Sequence, residues 1–132
     1  MDQTKLTIIR AVRDMARADG RLHRQERKLL RLIAEAEQLS ADEKDYLQRT
    51  AEPLEVSALR GLLPERTDRL RVMELSVLVG MADGVESPDE LDRLRQLTEQ
   101  LGLDAADIAI CLERARERFF ELTREWEAEE EG

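Results

Sequence analysis

Apolar positions in this chain recur every three or four residues almost from end to end, the period of helices that bury one face. Leu6, Ile9, Val12 and Ala16, with Ile8, Ala11 and Met15 beside them, predict a first helix from about Thr4 to Ala18. Leu29, Leu30, Leu32, Ile33 and Ala36 predict a second from about Arg24 to Gln38. Ser40-Ala-Asp-Glu43 has the form of a capping box, which opens a short third helix carrying Tyr46 and Leu47. Pro53 and Pro64 bracket a short fourth helix with Val56, Leu59, Leu62 and Leu63. The fifth, about Glu65 to Ala82, has Leu70, Val72, Met73, Leu75, Val77, Leu78, Val79 and Met81 on more than one face, so it should be central and the most buried. Ser87-Pro-Asp-Glu90 joins an N-cap Ser, a Pro at the first helical position and a Glu three residues on, which starts the sixth. After Gly102, Asp104-Ala-Ala-Asp107 caps a long seventh helix through Leu112, Phe119 and Leu122 toward Trp126, and Glu127 to Gly132 is expected to fray into solvent. No segment reads as a strand, and the fold class is all-α with about seven helices.

The chain also repeats itself. Asp-Gly-x5-Glu occurs as Asp19-Gly20 with Glu26 and as Asp83-Gly84 with Glu90, 64 residues apart. Aligned without a gap, residues 18–43 and 82–107 are identical at nine of 26 positions, Leu30/Leu94 and Leu39/Leu103 among them. A duplicated helix-loop-helix unit follows: repeat 1 at about residues 4–50, a joint at 51–64, repeat 2 at 65–126 and an acidic tail at 127–132. With 132 residues the chain is long enough for both repeats to share one core as a single domain.

Composition refines this picture in two ways. Tyr46, Phe119, Phe120 and Trp126 are the only aromatics, which leaves the core to aliphatic side chains packed helix on helix. The net charge is -9, which argues against a nonspecific electrostatic grip on nucleic acid or an anionic membrane. That charge is uneven: residues 1–64 carry 12 Lys/Arg against 11 Asp/Glu, and residues 65–132 carry 9 against 19. The chain opens without a signal-peptide pattern, because Arg10 and Arg13 follow only a few apolar residues, and its longest apolar run, Val77 to Ala82, cannot span a bilayer. A cytoplasmic protein is the expectation.

The Asp-Gly loops admit two readings. As helix punctuation, Gly20 and Gly84 take a left-handed turn past a helix end while Glu26 and Glu90 fill the third position of the next helix. The aspartates fit this less well, since an anion at a helix C-terminus opposes the macrodipole and needs a partner. As a metal site, the Gly-to-Glu spacing equals that between the Gly and the closing Glu of an EF-hand loop. Met15, Arg17, Val79 and Met81 stand where such a loop needs oxygen ligands, so a true EF-hand is excluded. Asp19, Glu26, Asp83 and Glu90 remain as candidate ligands for a hard divalent cation of the Ca2+ or Mg2+ class, with Glu86 and Asp89 as further candidates. The second loop is the better cation site, because Arg17, Arg21, Arg24, Arg27 and Lys28 surround the first whereas Glu86, Asp89 and Asp92 accompany the second.

Met15-Ala-Arg-Ala-Asp-Gly with Glu26, and Val79-Gly-Met-Ala-Asp-Gly with Glu90, resemble the tellurite-resistance TerB family over about residues 4–120. The related N-terminal domain of the membrane-anchored J-domain cochaperone DjlA shares the pattern, but this chain has no His-Pro-Asp motif. The resemblance implies an all-helical domain of about seven helices, acidic surfaces that bind divalent metal, and work as an adaptor in stress or defence complexes. Asp19, Glu26, Asp83 and Glu90 match the family's acidic positions, and the basic surroundings of the first loop depart from its pattern.

Other residues offer little chemistry. His23 sits where repeat 2 has Ser87, as a loop residue, a cap or a third ligand beside Asp19 and Glu26; Cys111, amid Ile108, Ile110 and Leu112, reads as a small core residue. No zinc spacing, phosphate loop or nucleophile-base pair is present, and a hydrolytic metalloenzyme is the least favoured class. Phe119 and Phe120 point about 100° apart on a helix, so one of them, or Trp126 among its glutamates, is a candidate partner contact. The expected function is a noncatalytic, TerB-like adaptor with protein partners and a divalent cation. Its alternative is a metal-free helical interaction domain.

Overall fold

The computed structural model describes residues 2–16, 24–50, 52–81 and 88–131, without the side chains of residues 16, 24–26, 56, 88–91, 93 and 125–131. Seven α-helices lie within them, and no strand does. They are α1 (Gln3–Ala16), α2 (Arg24–Ala36), α3 (Ala41–Arg49), α4 (Leu59–Leu62), α5 (Arg66–Gly80), α6 (Pro88–Leu101) and α7 (Ala105–Glu131). A 3-10 turn at Val56–Ala58 leads into α4. The fourth expected helix is thus a turn and a short helix in series.

Several helix limits follow the 64-residue offset of the sequence repeat. α2 and α6 start 64 residues apart, as do α3 and α7, and α1 and α5 end 64 residues apart. The link between the second and third helix of each repeat is copied bond for bond. α2 stops at Ala36, two residues before the expected end, because Gln38 turns left-handed at φ 56°. Its N–H then donates to the Glu35 carbonyl at 3.0 Å and the Leu39 N–H to that of Ala34 at 3.2 Å. Gly102 (φ 67°) and Leu103 repeat this on Glu99 and Thr98 at 3.1 and 3.2 Å. Both are Schellman ends, and the apolar residue that follows, Leu39 or Leu103, is buried in each.

α5 is the hub. Val72, Met73, Leu75, Ser76, Val77, Leu78 and Val79 are all buried, so the helix is enclosed on several faces, as its composition predicted. α1 and α7 pack against it along their lengths, and α2 and α6 add to it. From α1 come Leu6, Ile8, Ile9, Ala11 and Val12, and from α7 Cys111, Ala115 and Leu122. The Cys111 thiol points at the Leu70 carbonyl, 3.5 Å away, and burial pushes its pKa up, so the residue is core packing.

The two third helices differ most. α3 ends at Arg49 because Pro53 disfavours helix in the residue before it and carries no N–H to extend one. α1 then holds the departing chain. Arg13 donates to the Leu47 carbonyl at 2.7 Å, Arg10 to the Glu52 carbonyl at 2.6 Å, and the Asp14 carboxylate accepts the Leu54 N–H at 2.7 Å. α7 meets no such break, and it continues through the acidic end to Glu131 where fraying was expected. Its Glu and Ala residues are strong helix formers, and they carry the helix on.

Candidate functional site

Each repeat buries one carboxylate at the start of its third helix. Ser40 caps α3: the Glu43 N–H donates to the Ser40 hydroxyl at 3.1 Å, and the Glu43 carboxylate accepts the Ser40 N–H at 3.0 Å. Asp104 and Asp107 make the same reciprocal pair on α7 at 2.8 and 3.1 Å. Both acids also reach the start of the first helix of their own repeat. Glu43 accepts the Asp2 N–H at 3.3 Å and pairs with Lys5 at 3.4 Å, while Arg66 donates to Asp107. The Ser40 N–H, then the Asp2 N–H and the Lys5 ammonium, hold the Glu43 pKa at about 2 against burial. The Asp104 N–H and then Arg66 lower that of Asp107. These acids are staples, and the expected caps at Ser40 and Asp104 are where the sequence placed them.

The candidate metal ligands are only partly within view. Glu26 and Glu90 are the third residues of α2 and α6, at matching positions of the two repeats, and Asp89 is the second of α6. Their side chains, together with Asp19, Gly20, His23, Asp83, Gly84, Glu86 and Ser87, lie outside the described residues. Among the described residues no three of His, Cys, Asp and Glu come together as a metal would need. A cation at the loops therefore has to draw on carboxylates beyond that set.

On the last helix, Phe119 packs against the core and Phe120 is 63% exposed with the Arg124 guanidinium 5.9 Å from its ring centre. The two rings part as helix geometry requires. The side chain of Trp126 lies outside the described residues.

One open concavity among the described residues was not foreseen. A groove of about 620 Å3 runs between α2 and α7 with α5 beneath. Leu32, Ala36 and Leu122 give it an apolar strip, and Glu35, Glu74, Glu117 and Glu121 line it with carboxylates. None of these four forms an ion pair with a described residue. Of the two arginines present, Arg118 lies 3.7 Å from Glu37, which Arg71 also contacts, and Arg114 forms no ion pair with a described residue. Burial, then the like charge of Arg118, lowers the Arg71 pKa, so one carboxylate serves two crowded cations. The signal for the α7 wall lay in the run Arg114, Glu117, Arg118, Glu121 and Leu122, which are neighbours on one helix face. What hid it was the absence of any sequence mark for the helix opposite.

A family model described as "Protein of unknown function (DUF533)" matches residues 1–114. The chain belongs to that family. DUF533 is TerB-like, which agrees with the doubled Ala-Asp-Gly loops and the seven helices. No curated protein and no solved structure matches the chain. The DUF533 match takes in both repeats as far as the first turns of α7, and the groove wall from Glu117 to Leu122 lies past it. No described helix is long and apolar enough to cross a membrane.

Proposed function

We propose that this DUF533 chain is a noncatalytic, TerB-like adaptor that docks protein partners in a stress-response complex of the tellurite-resistance kind. The observation that carries the reading is the α2/α7 groove, an apolar strip edged by carboxylates that form no ion pair with a described residue. Interfaces of this type place an apolar centre inside a polar rim. A photo-crosslinking residue in place of Glu35, on the groove edge, tests it in cells. A discrete adduct there, absent when the same residue replaces the exposed Asp45 on α3, is the expected result; equal labelling at both sites removes the adaptor reading.

A divalent cation at the Asp-Gly loops belongs to the same reading. Its support is the family resemblance and the matched helical positions of Glu26 and Glu90. A bound ion stabilises only the native state, so at about 100 times its Kd it adds about 2.7 kcal/mol and raises the melting temperature. Asp83→Asn is expected to remove more of that rise than Asp19→Asn, given the extra acids near the second loop. No shift with millimolar Ca2+, Mg2+ or Mn2+ would leave the adaptor metal-free.

A further inference from the structure

The molecule contains its own template for what fills the groove. The groove residues Glu74 and Leu32 stand 64 positions from Arg10 and Gln96. In repeat 1, Arg10 grips the Glu52 carbonyl, and Gln96 borders a cleft with Pro53, Leu54 and Leu59. The joint therefore lies across the equivalent place, where its turn and α4 pack on α6, and only about 110 Å3 stays open. Repeat 2 has no such segment, since α7 runs straight on, and about 620 Å3 remains.

We infer that the α2/α7 groove receives a partner peptide that lies as the joint does: an extended segment with a leucine-like anchor followed by a helical turn, carrying Lys or Arg. The lie comes from repeat 1. Its backbone is caught there at the Glu52 carbonyl and the Leu54 N–H, and Leu54 and Leu59 supply the apolar contact. The charge comes from repeat 2. Where Arg10 offers a cation to a carbonyl, Glu74 offers an anion, and Glu35, Glu117 and Glu121 add to it with no ion pair to a described residue. A cationic side chain above an apolar anchor answers both features. The inference rests on the adaptor reading of the groove and names the chemistry of its partner.

The test titrates the full chain into a labelled synthetic peptide copying residues 50–60 with the changes E52K and E55K. Saturable binding is expected, falling steeply with added salt, and the unchanged copy with both glutamates should bind at least about tenfold more weakly. In the protein, the double reversal E117K/E121K, at two exposed positions, should weaken the peptide at least about tenfold. Ala36→Phe, at an exposed position on the groove, should block it, with helicity unchanged in both variants by circular dichroism. Amide shifts on binding should centre on Leu32, Ala36, Glu74 and Leu122.

Absence of saturable binding overturns the proposal, as does binding indifferent to E117K/E121K and Ala36→Phe. So does self-association of the free chain in sedimentation that Ala36→Phe abolishes, which would make a second copy the occupant. If the peptide fails while the Glu35 position still crosslinks a discrete partner, the adaptor reading stands and the basic segment is wrong. If both fail, both fall.

Discussion

Repeat 1 covers its own cleft and repeat 2 leaves the matching one open, although the two follow one plan through the Schellman turn and the buried capping acid. The plan is local: each shared feature is made by residues within a few positions of one another, so duplication carries it intact. The divergence is also local at its origin. Thr50-Ala-Glu-Pro53 ends α3 and turns the chain back, while the matching stretch from Arg114 has neither proline nor glycine and continues as helix. One short difference in backbone preference thus decides whether a surface is sealed or presented.

Loss of the shared hub should have the largest effect. Leu75 is fully buried on α5 and stands opposite Ala11 of α1 in the repeat register. Leu75→Ala, which makes the two helices alike there, should cost about 2–5 kcal/mol in urea denaturation. A cost below about 1 kcal/mol would mean that α5 is no more central than α1.

The Schellman turns allow a sharper comparison, because one construction uses Gln and the other Gly. Gly102→Ala puts a Cβ on a left-handed residue, 2.9 Å from the Arg60 guanidinium carbon, and should destabilise by about 1–2 kcal/mol. Gln38→Gly relieves the same backbone in repeat 1 and should stabilise by roughly 1 kcal/mol. Opposite signs by thermal melting support the equivalence of the turns; equal signs would break it.

A smaller effect distinguishes the capping acids. The Glu43 pKa lies at about 2 in the folded chain against 4.5 for a free carboxyl, so its contribution is complete above about pH 4.5, shrinks as pH falls and is gone below about 2. Asp107 is shifted in the same direction and adds to the same slope. Glu43→Gln should therefore flatten the dependence of stability on pH in that window, as should Asp107→Asn. Urea midpoints measured at half-unit steps check it. A slope untouched by either change would show that the acids are ionised no more easily here than in the unfolded chain.

Much of this was readable beforehand because its causes are close in sequence. Helical periodicity, Ser40 with Glu43, Pro88 after Ser87 and the 64-residue register each depend on neighbours, and they placed the helix starts closely, while the fourth helix proved shorter and the end of α7 longer than expected. Gly102 announced its turn; Gln38 did not, since glutamine has no preference for positive φ and takes it only because α2 must end before Leu39 is buried. The groove was illegible for a different reason. Its walls, α2 and α7, lie about 80 residues apart in the chain, and only the way both pack on α5 brings Leu32 and Leu122 to one surface. The acidic Asp-Gly loops drew notice through their repetition, whereas Glu117 and Glu121 on α7 had no repeat to mark them.

The packing of α1 on α5 has an evolutionary reading. These helices are counterparts, so the middle of the domain is a surface meeting its own duplicate, the arrangement an isologous twofold interface has. A chain with one copy of the unit would expose that surface and find its complement only on another such chain, as a homodimer with two identical clefts. Fusing two copies removes the dependence on concentration and frees the halves to change separately. The joint is the mark of that freedom: the segment that links the copies is also the one that made their clefts unequal.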